Sequence, residues 1–225
     1  MSDANRKSTV SRDPVVLAIT GASGAIYAIR LLNVLFHSNV EIHLTISPSG
    51  AAVIREETGL TVDIRKPNLV ELAAYVPKWS KFKPAKSTDL KRAIDTTVKF
   101  HAYDDYMAPI ASGSFRTRAM VVCPCSGSTL SGIARAASSN LIQRAAEVHL
   151  KERRKLILVP RETPLSSLAL ENMHRTSVAG AVLLPAMPGW YHGVESLDSL
   201  VNFVVGRILD QLDIDNSIIQ RWGDE

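Results

Sequence analysis

Arg161 and Glu162 stand side by side behind the apolar run Leu156-Ile157-Leu158-Val159 and Pro160. A guanidinium next to a carboxylate at the end of a buried strand can bind an anion while moving a proton; a structural ion pair is the competing reading. A second chemical feature follows the run Val15-Val16-Leu17-Ala18-Ile19: the turn Thr20-Gly21-Ala22-Ser23-Gly24. A strand that ends in small residues and opens into a helix suits a phosphate. Backbone N–H groups at the helix start point at the anion, and the macrodipole favours negative charge there. Glycine lets the turn tighten and the ligand approach the backbone. The turn points to a phosphate-bearing cofactor without saying which.

Ser126, Ser128 and Thr129, around Gly127, precede another predicted helix, where N-capping and phosphate contact are both served by the same free N–H groups. Arg144 and Lys151 are seven apart and share a helix face. Lys151 opens the run Lys151-Glu152-Arg153-Arg154-Lys155, in which Arg153 and Arg154 read as a solvated helix end. Arg207 falls seven after Leu200 and four after Phe203, at the edge of a buried helix face. A cation there needs a partner, and a phosphate would serve. In the pair Glu56-Glu57, Glu56 at least reads as a surface residue. The histidines His37, His43, His101, His149, His174 and His192 show no metal-ligand spacing.

These groups need a frame. Strands are predicted at Val15–Thr20, Glu41–Ile46, Val98–Tyr103, Met120–Cys123, Lys155–Pro160 and Ala181–Pro185. Helices are predicted at Gly24–His37, Pro48–Glu57, Ser128–Ala137, Asn140–Arg153, Leu165–Ala179 and Leu197–Leu212. From Thr61 to about Thr97, Pro77 and Pro84 suggest loops around short helices. The alternation predicts an α/β fold with a parallel sheet covered on both faces and ligands beyond the strands' carboxyl ends. Those ends carry Gly21-Ala22-Ser23, Ser47, Cys125 to Thr129, Arg161-Glu162 and Pro188-Gly189-Trp190-Tyr191. Hydroxyls, a cation, a carboxylate and a phenol then converge on one rim.

The 225 residues, 46% hydrophobic and 21% charged, suit one globular domain over residues 14–225. No apolar run is long enough to span a bilayer, so no membrane role is expected. Met1 to Asp13 is polar, lacks a secretory h-region and reads as a disordered arm, which suits a cytoplasmic protein. Cys123 and Cys125, separated by Pro124, are poorly spaced for a bridge and read as small residues at a strand end in a reducing compartment. Residues 61–99 hold nine Lys/Arg against four Asp/Glu, more than the whole chain's excess of +4. The aromatics there, Tyr75, Trp79 and Phe82, form no nucleic-acid module, so the stretch at about 61–97 reads as a solvated basic insertion.

Several segments together resemble a known family. Ile19 to Tyr27, Ala108 to Phe115, Leu150 to Arg154, Val159 to Pro164 and Pro188 to His192 closely resemble the flavin prenyltransferases of the UbiX type. The Val-Pro-Arg-Glu-Thr-Pro run, with the lysine motif before it and the tyrosine after it, is the specific part. The resemblance implies a Rossmann-like three-layer sandwich with a mostly parallel sheet, homododecameric, with sites at subunit junctions and no metal. It implies transfer of a dimethylallyl group from dimethylallyl phosphate to reduced FMN, at N5 and then C6. The prenylated FMN would serve a separate decarboxylase.

By the same resemblance, Gly21, Ala22, Ser23, Ser47, Ser126, Gly127, Ser128, Thr129 and Arg161 contact FMN, and Ser112 helps hold it. Arg144, Lys151, Glu162, Tyr191 and Arg207 form the prenyl-phosphate pocket, which Trp222 closes. Ser23 and Glu57 form a proton path toward the flavin. Tyr106 stands where many relatives carry tryptophan, facing an allylic cation. A flavin-binding regulatory subunit and a flavin-dependent decarboxylase of the cysteine-decarboxylase group are the alternatives.

Overall fold

Long β-branched and apolar runs with both faces covered become strands here. They are β1 (Val15–Ile19), β2 (Ile42–Ile46), β3 (Val98–His101), β4 (Ala119–Cys125), β5 (Lys155–Pro160) and β6 (Val182–Leu183). This computed structural model describes residues 13–38, 40–82, 87–191, 193–221 and 223. The expected arm at 1–13 therefore lies, except for Asp13, outside the described residues. The strands form one sheet in the order β3-β2-β1-β4-β5-β6, every pair parallel, so the sheet is wholly rather than mostly parallel. Chain direction reverses its march across the sheet between β1 and β4, where the crevice of an open α/β sheet lies.

Helices cover both faces: α1 (Ala25–His37), α2 (Pro48–Thr58), α3 (Leu69–Ala74), α4 (Ser87–Thr97), α5 (Gly127–Ala134), α6 (Leu141–Lys151), α7 (Ser167–Val178) and α8 (Leu197–Gln211). Alternation within β1 divides the core. Val15, Leu17 and Ile19 face a cluster with α1, α3, α4 and α8 residues, while Val16 and Ala18 face one with α5 and α6 residues. The 61–97 stretch is less solvated than its charge suggests. Leu72, Ala73, Leu90 and Ile94 join the core, so the outer face of α4, with Lys91 and Arg92, and the connections, with Arg65, Lys66, Lys78 and Lys81, carry basic residues to solvent. The predicted last strand shortens to Val182–Leu183, although the N–H groups of Leu184 and Ala186 still donate to Leu158 O and Pro160 O across Pro185, which has none to give. The third strand ends at His101 because a turn begins at Ala102, whose carbonyl accepts from the Asp105 N–H. Both cysteines are buried and unbonded.

Two histidines favour the fold in their neutral form. His149 is 1% exposed, with Nδ1 2.7 Å from Ala145 O and Nε2 2.9 Å from Thr117 Oγ1. Burial pushes its pKa down to about 4, and burial together with neighbouring His43 does the same to His101. The unfolded chain then binds more protons than the native one below the ordinary value near 6.5, so stability is full above that pH and falls as pH drops toward 4. For His149 the loss is on the order of 3 kcal/mol across that window. Urea midpoints measured from pH 7 to 4.5 should fall, and His149→Gln should flatten the pH dependence.

Candidate active site

Loops leave the carboxyl ends of β1, β2 and β4 side by side, and Thr20 fixes their spacing. Its fully buried hydroxyl donates to Pro124 O at 2.7 Å and accepts from the Ser126 N–H at 2.8 Å. The Ser47 N–H donates to Ile19 O at 3.0 Å and ties in β2. The approach is close: a Cβ on Gly21 would lie 2.5 Å from Ser49 Cβ, and one on Gly50 would lie 2.7 Å from Ile19 O. Gly24 has φ +111°, a conformation that favours glycine.

The start of α1 corrects the expectation of an open phosphate cradle. Glu57, in the last turn of α2, accepts from the Gly24 N–H at 2.9 Å and the Ala25 N–H at 2.8 Å. The protein's own carboxylate therefore fills this helix N-terminus. Ala22 is buried in the same turn and Ser23 is exposed on it.

The start of α5 is more open. Ser126 Oγ accepts from the Thr129 N–H at 3.3 Å and lies 3.1 Å from Ser128 Oγ and 3.0 Å from Thr129 Oγ1. Capping is thus observed, and three hydroxyls gather around it. A Cβ on Gly127 would lie 3.9 Å from Glu162 Oε2. Arg161 reaches the start of α1, its Cδ 3.8 Å from the corresponding position on Gly24. Burial and Cys123 raise the Tyr27 phenol pKa there, and Arg161 opposes the rise. Arg161 and Glu162 do not pair with each other among the described residues.

Arg144 and Lys151 belong to another neighbourhood. α6 ends just before β5 begins, so Lys151 sits near the amino edge of the sheet, where it pairs with Glu152. Arg144 Nε donates to Ala111 O at 3.2 Å, and its Nη1 lies 3.3 Å from Glu147 Oε2. Arg154, expected to be solvated, instead donates to Gly113 O and Phe115 O, both at 2.6 Å. This holds the loop carrying Ser112, whose Oγ is 2.9 Å from Ser114 Oγ. From Lys155 to Pro160 the sheet spans ~16 Å, and that length separates the lysine group from Arg161 and Glu162.

Tyr191 and Arg207 form a third group. The Tyr191 ring meets Phe203 edge-on at 5.7 Å, and Phe203 and Arg207 are four apart on one face of α8. Arg207 is exposed rather than at a buried edge, and its Nη1 pairs with Asp210 Oδ2 at 2.7 Å. Tyr106 is 46% exposed on the connection after β3. Trp222 lies outside the described residues. Sequence reasoning passed over Thr20 as a spacer and Arg154 as a loop anchor. A hydroxyl closing an apolar run signals the first; nothing local distinguishes the second from a solvated arginine.

A family model described as Flavoprotein matches residues 3–209. The flavin prenyltransferase UbiX of Halalkalibacterium halodurans is 46% identical over 217 residues, covering 96% of this chain and 97% of that protein. The chain belongs to the UbiX flavin prenyltransferase family. A solved UbiX structure, AnUbiX (PadA1) in complex with FMN and dimethylallyl pyrophosphate, superposes with TM-score 0.75 at 37% identity, covering 96% of this chain and all of that one. A dodecameric FMN-dependent UbiX-like decarboxylase from Escherichia coli O157:H7 gives TM-score 0.75 at 37% identity, covering 94% of this chain and all of that one.

For this UbiX-family chain, the rim donors fit a flavin phosphate: three clustered hydroxyls, the free first N–H groups of α5 and the Arg161 guanidinium. The tight seam between β1 and β2 positions that rim. Gly21→Ala should destabilise the protein by roughly 1–3 kcal/mol through overpacking against Ser49. Ser49→Gly in the same chain should recover most of the loss, as read by denaturant titration.

Proposed function

We propose that the chain transfers a dimethylallyl group from dimethylallyl phosphate to reduced FMN, and that its product feeds a separate prenylated-FMN-dependent decarboxylase. The carrying observation is full-length kinship to UbiX enzymes, including one solved with both FMN and dimethylallyl pyrophosphate. When bound, reduced FMN supplies the N5 and C6 positions that receive the prenyl unit.

The chain's own residues have separable tasks. Ser126, Gly127, Ser128, Thr129 and Arg161 hold the flavin phosphate, supported by Gly21, Ala22, Ser23 and Ser47 on the adjoining turns. Ser112 steadies the flavin from a second chain. Lys151, Arg144 and Arg207 neutralise the charge that develops on the departing phosphate, and Tyr191 donates a further hydrogen bond. Glu162, beside Gly127, carries a proton between flavin and phosphate. Ser23 and Glu57 relay a proton at the α1 start, where Glu57 is already fixed by two N–H groups. Tyr106 offers an aromatic face to allylic charge, and Trp222 closes the pocket.

Lys151 cannot meet Glu162 of its own chain across ~16 Å of sheet, so a neighbouring subunit must bring a second Lys151 to it. A homo-oligomer, as in the dodecameric relative, supplies that junction.

Anaerobic incubation with reduced FMN and dimethylallyl phosphate should add one dimethylallyl unit to the flavin by mass. Glu162→Gln should keep FMN bound while turnover falls by a factor on the order of 100, the usual scale of general acid–base help. Unmodified flavin with the wild-type protein, or undiminished turnover in the variant, would count against the corresponding assignment.

A further inference from the structure

The basic insertion builds a cleft that the prenyl-transfer reading leaves unused. Its segment 75–82 lies across α1 and α8 and lines a cleft of about 70 Å³ beside a second chamber of about 170 Å³. Tyr75, Trp79, Phe82 and Ile26 give it aromatic and aliphatic walls. An apolar and aromatic lining with a few polar groups is the usual character of a small-molecule site.

Two polar groups in the wall are arranged unequally. Arg30 is engaged: its Nε donates to Asn202 Oδ1 at 2.9 Å, its Nη1 to Asn33 Oδ1 at 3.1 Å, and its guanidinium lies 4.0 Å over the Phe82 ring. Asp198 is only half-satisfied. It is 6% exposed, its Oδ2 accepts from the Lys81 N–H at 2.7 Å, and its Oδ1 has no hydrogen-bond partner among the described residues. A buried carboxylate oxygen without a donor is costly, and the missing partner is an N–H or O–H. An adjoining chamber shares Ile26, Tyr75, Pro77 and Trp79 and reaches Glu57. Arg30 already feels the charge of Asp198, and Glu57 already caps α1, so the selecting feature is the unpaired Asp198 Oδ1, a carboxylate oxygen that takes a charged N–H donor more strongly than a neutral one. Trp79, 44% exposed, leaves an aromatic face for such a guest.

We propose that this cleft binds a small organic ammonium with an aromatic body, its N–H directed to Asp198 and its ring against Trp79 and Tyr75. The guest lies beside Ile26 in the first turn of α1, next to the Glu57 cap, and apart from the rim that would hold the flavin phosphate.

The test is calorimetric titration of the intact protein with 2-phenylethylamine, 2-phenylethanol and 3-phenylpropanoate, alike in ring and differing in head group. The amine should bind saturably, at least tenfold tighter than the alcohol, with no binding of the carboxylate. Asp198→Asn should weaken the amine at least tenfold and bring it level with the alcohol. Trp79→Ala, at a partly exposed wall, should weaken both ring compounds while leaving FMN affinity unchanged. No saturable binding of the amine, equal affinity for amine and alcohol, or an amine affinity indifferent to both substitutions would overturn the proposal.

Discussion

One buried hydroxyl sets the geometry of the rim. Thr20 bonds both to the carbonyl of Pro124 and to the N–H of Ser126, so the end of β1 and the loop after β4 are held at a single spacing. Everything at the crevice inherits that spacing: the Gly21 turn pressed on Ser49, the capped start of α5, and the Arg161–Glu162 pair beyond β5. A buried hydroxyl that makes two bonds is held firmly, since losing either leaves a polar group unsatisfied in the interior. The sheet order places this seam where the strand order reverses, which is where such sheets open to a ligand.

Much of this was legible in the chain. Buried strands read directly from their apolar runs, since burial on both faces leaves little room for polar residues, and β5 matches its expected bounds. The hydroxyls before α5 and the Arg161–Glu162 pair also fall where their positions behind strands predict. Less legible were features that depend on residues distant in sequence. Glu57 reaches the start of α1 from 32 residues away, and no local pattern announces that a carboxylate will fill an apparent phosphate turn. Arg207 has the right spacing for a buried edge but turns to Asp210 one helical turn on. The basic stretch concealed its apolar side, because Leu72, Leu90 and Ile94 are outnumbered locally by lysines and arginines that stay in water.

The separation of anion-binding groups gives the fold its functional logic. The α5 start and Arg161 sit at the carboxyl edge; Lys151 sits at the amino edge, where Arg154 braces the loop that carries Ser112, and Arg144 lies between the two edges on α6. A reaction between two phosphate-bearing molecules gains from that division. One edge can hold the flavin while a neighbour's opposite edge receives the leaving group, and association of subunits excludes water from the space between. Reaction would then require assembly, with neither edge sufficient alone.

Subunit complementation tests this most directly. Lys151→Ala and Glu162→Gln chains, each inactive as a pure oligomer, are co-assembled in equal amounts and assayed for prenylated flavin. If each site draws these residues from different subunits, random mixing restores about a quarter of wild-type activity. Mixed oligomers as inactive as either parent would contradict the account, because they would mean that Lys151 and Glu162 must come from one chain.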